Sequence, residues 1–231
     1  MTMENETTFP ASGRKKNEWL FWLTLLLPFL YIPFIWNKLP ESVPTHWNFH
    51  GDPDQYASKG FGTLLLPVLN VVIYILMLLF PKIDPRKNNY NYFGNSYRNI
   101  RLALTLFMTI FFFITMQWSL GNSSVNSKTI FIFMFCLFAV LGNFMRTIRS
   151  NFFIGIRTPW TLDNPEVWKK THEQSGKLWF YTSLAAMVIS FLLSKEFMIW
   201  LLIPYFCIIV IFPLIYSYVL FRKITNINSS K

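Results

Sequence analysis

FGTLLLPVLNVVIYILMLLF, residues 61–80, decides the fold. The run carries no charge. At 1.5 Å per helical residue, about 20 apolar residues cross the ~30 Å hydrocarbon core of a bilayer. It is also apolar on every side, whereas an outer helix of a soluble bundle needs a polar face. Five more uncharged stretches match it: Trp19–Trp36, Leu102–Leu120, Thr129–Met145, Leu178–Ser194 and Phe197–Phe221. The first of these, with Thr129–Met145 and Leu178–Ser194, is at the short end of the spanning range. Composition agrees: 53% of the 231 residues are hydrophobic and 14% charged, against roughly 25% charged in a soluble domain. Mean hydropathy is +0.35. The expected fold class is all-α: a polytopic membrane protein with six transmembrane helices and a short cytoplasmic interfacial helix.

Arg14, Lys15 and Lys16 precede the first apolar run. No small-residue cleavage pattern follows it, so it reads as a retained span and not a removed signal. The net charge of +10 is placed and not spread. With six alternating spans, seventeen of the 21 Lys and Arg fall on one side and four (Lys38, Lys59, Lys128, Lys195) on the other. The positive-inside rule puts the seventeen in the cytoplasm. Both termini are then cytoplasmic, as an even span count requires. Basic loops beside an anionic inner leaflet account for this charge with no nucleic-acid partner. Cys136 and Cys207 lie inside spans and read as small packing residues, without a disulfide or CxxC metal pattern.

The chain divides into a disordered tail (1–18), a two-span region (19–80) with an external loop (37–60), and a cytoplasmic loop (81–101). A four-span region (102–221) with a cytoplasmic loop (146–177) and a tail (222–231) complete it. The external loop contains LPESVPTHWNFHGDPDQYASKG, residues 39–60. The residues before Pro40 and Pro44 avoid the α region, so extended or turn backbone is expected. His46, Trp47, His50, Gly51, Asp52 and Asp54 are its candidate functional residues. Zinc accepts His and carboxylate, but an HxxxH pair on a proline-rich loop more often belongs to a turn satisfying its own backbone. No metal and no cofactor is assigned.

The inner loop contains GIRTPWTLDNPEVWKKTH, residues 155–172. Continued past Met145, the fourth helix would put Asn143, Thr147 and Asn151 on one face. Gly155 permits a bend or close backbone approach. Pro159 makes Thr158 extended. Asp163 or Asn164 can cap a helix with Pro165 in its first position and Glu166 in its first turn. Glu166 and Lys170 can pair four residues apart. Trp168, His172, Ser175 and Trp179 form one stripe, which reads as a half-wet interfacial anchor. The sharper alternative brings Arg157, Trp160, Trp168 and His172 together on a cytoplasmic pocket or docking surface. No catalytic set shares a compartment, so none is assigned.

The string IGIRTPWTLDNPEVWKKTH, with the preceding Gly142-Asn143-Phe144-Met145, resembles the SdpI family of bacterial membrane immunity proteins. LPESVPTHW…HGDPD resembles the small domain of unknown function that commonly precedes the SdpI region. The resemblance implies protection of the bacterial cell against a secreted SdpC-type antimicrobial peptide. It further implies a receptor role, in which a cytoplasmic repressor is held at the membrane. The motif positions it carries over are Asn143, Gly155, Arg157, Thr158, Pro159, Trp160, Thr161, Leu162 and Trp168; His172 lies beyond the core string. The expected partners are the lipid bilayer, a peptide toxin and a repressor. The alternatives are a transporter, disfavoured because the spans hold few ionisable groups, and an external-face metal-dependent membrane enzyme.

Overall fold

The structure, a computed structural model, describes residues 18–48, 52–122 and 127–229. The expected N-terminal tail (bar Glu18) lies outside these residues, as do His50 and Gly51. Seven α-helices and one two-stranded sheet are described. Six helices are long and apolar enough to cross a membrane: α1 (Glu18–Ile35), α2 (Lys59–Ile83), α3 (Tyr90–Ser119), α4 (Ser127–Met145), α6 (Pro165–Leu192) and α7 (Met198–Ser229). The seventh, α5 (Pro159–Asp163), is a single short turn of helix. The chain is an all-α multi-pass membrane protein.

The burial pattern is that of a protein dissolved in lipid. Large apolar side chains face outward, among them Phe34 at 79% exposed, Leu192 at 82% and Trp200 at 72%. Small polar side chains face inward: Thr24, Thr63, Thr105, Thr109, Ser183, Ser190 and Ser217 are buried. Lipid tails are as apolar as leucine, so interhelical packing and hydrogen bonds hold such a bundle together. Asn70 illustrates this in α2, where its amide donates to the Thr105 carbonyl at 3.1 Å and the Thr109 hydroxyl at 3.0 Å on α3. The Thr109 hydroxyl in turn donates to the Thr24 carbonyl of α1.

Two packed groups result, α1–α2–α3 and α4–α6–α7. The α4–α6 crossing is set by two glycines. A Cβ on Gly142 would lie 2.8 Å from the Gly176 carbonyl oxygen, and one on Gly176 would lie 2.7 Å from that of Gly142. Only glycine permits so close an approach of backbones.

The connection between α1 and α2 departs from the expected loop. It is an antiparallel hairpin, β1 (Ser42–Trp47) on β2 (Pro53–Ser58), running from Ser42 opposite Ser58 to Trp47 opposite Pro53. Pro44 and Pro53 are tolerated because both strands of a two-stranded sheet are edges. Val43 is fully buried and packs with Ile32, Ile35, Leu39, Phe112 and Met116. The Trp47 ring rests 5.9 Å from Phe111 and 6.1 Å from Trp118. The hairpin is therefore docked on the ends of α1 and α3.

The second connection is shorter than expected. α3 begins at Tyr90, with a kink at Phe93 (φ −129°, ψ 19°), so most of 81–101 is helical. α7 likewise continues to Ser229, through most of the expected tail.

Candidate functional site

α4 stops at Met145. Its end tightens through Thr147 N–H to the Phe144 carbonyl and Ile148 N–H to that of Met145, and the Thr147 hydroxyl also donates to Phe144. Such local side-chain bonds compete with helix continuation. The expected Asn143–Thr147–Asn151 face therefore does not form: Asn143 is exposed on α4, and Asn151 is buried in irregular chain. The Asn151 side chain accepts from Phe153 N–H at 2.9 Å and Ile154 N–H at 2.7 Å, and donates to the carbonyls of Arg149 and Ile154. One amide thus organises the turn.

The turn is fastened to the α2–α3 connection. Buried Asp84 accepts from Arg86 N–H at 2.7 Å, the Tyr90 hydroxyl at 3.0 Å and Phe152 N–H at 2.9 Å. The Arg86 guanidinium donates to the Leu162 carbonyl at 2.7 Å and to the Ser150 hydroxyl, and lies over the Phe152 ring. Asn89 donates to the Ser150 carbonyl at 2.7 Å. Phe153 stacks on Phe80 with centroids 4.3 Å apart. The second and fourth connections, which carry most of the loop cations, therefore share one face. None of Asp84, Arg86, Asn89 or Tyr90 stood out in the sequence, since the bonds that tie each to the fourth connection span more than 60 residues.

The string 155–172 packs onto this knot residue by residue. Gly155 has φ +104°, and a Cβ there would lie 2.4 Å from His172 Nε2. The bare backbone lets Ile156 N–H donate to that nitrogen at 2.9 Å. The other ring nitrogen, Nδ1, bears the proton and donates to the Trp168 carbonyl at 2.8 Å. With one nitrogen accepting and one donating, the ring is the neutral tautomer. Gly155→Ala is expected to break this contact and to force a non-glycine residue into positive φ, at about 2–4 kcal/mol. A drop in the detergent melting temperature checks it; an unchanged value would refute the close approach.

Thr158 and Thr161 cap α5 reciprocally. The Thr158 hydroxyl accepts from Thr161 N–H at 3.2 Å and the Thr161 hydroxyl accepts from Thr158 N–H at 2.9 Å, with Pro159 in the first turn. Asn164 caps α6 through Glu166 N–H and Val167 N–H, and Lys170 pairs with Glu166 at 2.6 Å, both as expected. Trp160 donates to the Ser217 hydroxyl and meets the Tyr218 ring edge-on at 5.3 Å, tying α5 to α7.

Two expectations are corrected. Trp168, His172 and Ser175 are buried and not half wet: Trp168 stacks on His172 at 4.1 Å and donates to the Ile148 carbonyl at 2.8 Å. Nor do Arg157, Trp160, Trp168 and His172 line one pocket. Arg157 is exposed and donates to the Phe152 carbonyl, Trp160 faces α7, and only Trp168 borders the cleft on this face. The neighbours of these four are protein groups that fix the chain path.

On the opposite face, His46 Nδ1 lies 2.5 Å from Asp54 Oδ1, both partly exposed. Asp52 N–H donates to the Asn48 side chain, closing the hairpin end. Among the described residues no three His, Cys, Asp or Glu side chains group as a metal site would require.

Comparison with known proteins places both features. Residues 147–217 match the SdpI/YfhL protein family, and residues 23–71 match the domain of unknown function DUF1648. The first covers the 147–172 half of the knot but not Asp84, Arg86, Asn89 or Tyr90, and the second covers the hairpin. The chain is similar to the immunity protein SdpI of Bacillus subtilis (strain 168), at 24% identity over 204 residues, covering 88% of this chain and 95% of that protein. No solved structure matches.

Proposed function

We propose, for a chain whose residues 147–217 belong to the SdpI/YfhL protein family, that it is an integral membrane immunity protein. It protects the cell that makes it against a secreted SdpC-type antimicrobial peptide. The observation that carries this reading is the similarity to an immunity protein along nearly the whole of both chains, hairpin and inner knot included. We assign peptide contact to the hairpin with Trp47, His46, Asp52 and Asp54, the structured element on the sparsely charged face.

The inner knot is the element that would report toxin to a cytoplasmic repressor. It carries Arg157 and the exposed side of α5, and it couples α2, α3, α6 and α7 in one hydrogen-bonded unit, so displacement of any of these helices reaches it. The test is survival of toxin-sensitive cells producing the chain under peptide challenge. A parallel arm follows whether a labelled repressor moves to the membrane when peptide is added.

The reading requires the hairpin outside and the knot inside, with both termini cytoplasmic, as the charge distribution favours. Gln55→Cys in β2 should react with a membrane-impermeant maleimide in intact cells, and Lys170→Cys only after lysis. The reverse pattern would invert the topology and remove the assignment of peptide contact to the hairpin.

A further inference from the structure

We infer that the inner end of the α3–α4 seam holds one anionic phospholipid, with an acyl chain in the groove between these helices and the phosphate in the basic cleft at its end. Two cavities meet the two halves of such a molecule. The first is an apolar groove of about 380 Å³ walled by Leu102, Leu106 and Phe107 of α3 and Leu137, Val140 and Phe144 of α4. Its α3 wall runs from Asn99 to Ile110, roughly 16 Å at 1.5 Å per residue, the depth of about one leaflet. The second is a cleft of about 670 Å³ on the knot side, bordered by Arg86, Arg146, Arg149 and Lys169, with Asp163 and Glu173 also on its rim.

The cavities follow one another along both helices. Phe144 of the groove is two residues before Arg146 of the cleft, and Asn99 of the groove is seven after Tyr92 of the cleft. Four cations face two carboxylates there, and Glu173 is engaged by Lys169 at 4.0 Å. Arg146 and Arg149 are exposed. Arg86 is already held by Ser150 and Leu162, so its charge is fixed in place. An apolar groove opening to hydrocarbon and ending in cations at headgroup depth matches an amphiphile carrying an anionic headgroup. A free phosphate would leave the groove unused, and an acidic peptide would leave it facing bulk lipid.

The test is native mass spectrometry of the full chain exchanged into a phosphatidylglycerol–phosphatidylcholine mixture. One phosphatidylglycerol should persist at activation energies that strip phosphatidylcholine. Removing both charges with Arg146→Gln and Arg149→Gln should lower that retention about thirtyfold, and the double Lys variant should keep it within a few fold. Val140→Trp, with the cations intact, should lower retention by filling the groove, which decides the matter if the Gln variant does not fold. Equal retention of the two lipids, or retention unchanged by Val140→Trp, would overturn the inference. So would glycerol phosphate or an acidic peptide binding as tightly as the lipid.

Discussion

Gly142→Leu is expected to remove nearly all folded protein from the membrane. The added side chain would start 2.8 Å from both the Gly176 carbonyl oxygen and the Phe180 amide nitrogen. Both obstacles are backbone of α6, so neither can swing aside as a side chain would. The helices must separate, and separation unpacks the α4–α6 crossing at which Gly142 and Gly176 bring the two backbones together. Overpacking a tight core costs typically about 1–3 kcal/mol and more where backbone must move, against a total of roughly 5–15 kcal/mol. Gly94→Leu is the control: a Cβ there meets nothing within 4 Å, so this variant should accumulate normally. Monodisperse protein recovered after detergent extraction is the readout. Equal recovery of the two variants would contradict the close crossing.

Asp84→Ala should be the most damaging change in the knot between the α2–α3 and α4–α6 connections. Its carboxylate receives three hydrogen bonds, from Arg86 N–H, Phe152 N–H and the Tyr90 hydroxyl. Truncation leaves these donors facing a cavity from which water is largely excluded, since Asp84 is 2% exposed. Bonds to a charged acceptor contribute about 1.5–3 kcal/mol each and do not add fully, so a loss of about 4 kcal/mol is expected. Asp84→Asn keeps the shape and one carbonyl acceptor, and should cost about half as much. The detergent melting temperature should fall in the order wild type, Asn, Ala. Because Asp84 bonds Phe152 across the two connections, the Ala variant should also expose the 146–158 segment to added protease. Resistance equal to wild type would show that the knot does not depend on this carboxylate.

The spans were legible because the absence of charge over some 20 residues is a local property that few soluble folds allow. The cap at Asn164 and the Glu166–Lys170 pair were legible for the same reason: each is fixed by residues within four positions. The hairpin was not. Pro44 and Pro53 argue against strands, and only the two-stranded, all-edge arrangement removes that objection. The helical part of 81–101 was hidden by its basic, Asn- and Tyr-rich composition, although Tyr90, Phe93 and Tyr97 are buried in one hydrophobic cluster with Met77, Ile148 and Trp168.

The candidate site was least legible where distant residues decide it. The spacing of Asn143, Thr147 and Asn151 matches a helix face, but Asn151 instead closes its own turn. Trp168 and His172 read as an interfacial stripe because the 3.6-residue period shows which residues share a face and not what covers it. Their covers are Ile148 and Gly155, from another stretch of chain. Asp84 and Arg86 were not legible because Phe152, Ser150 and Leu162 lie more than 60 residues away, whereas Gly155, Thr158, Thr161 and Trp160 each close a contact of their own, with His172, with one another or with Ser217.

The central claim is that this chain confers immunity, and dose–response killing tests it most directly. Toxin-sensitive cells would make the wild-type chain, or none, and be exposed to graded SdpC-type peptide, with membrane levels matched by immunodetection. The account predicts that producing cells need at least about tenfold more peptide for half-killing, which is a difference of about 1.4 kcal/mol if protection reflects peptide captured at equilibrium. Superimposable killing curves, with the chain present in the membrane at normal levels, would contradict it.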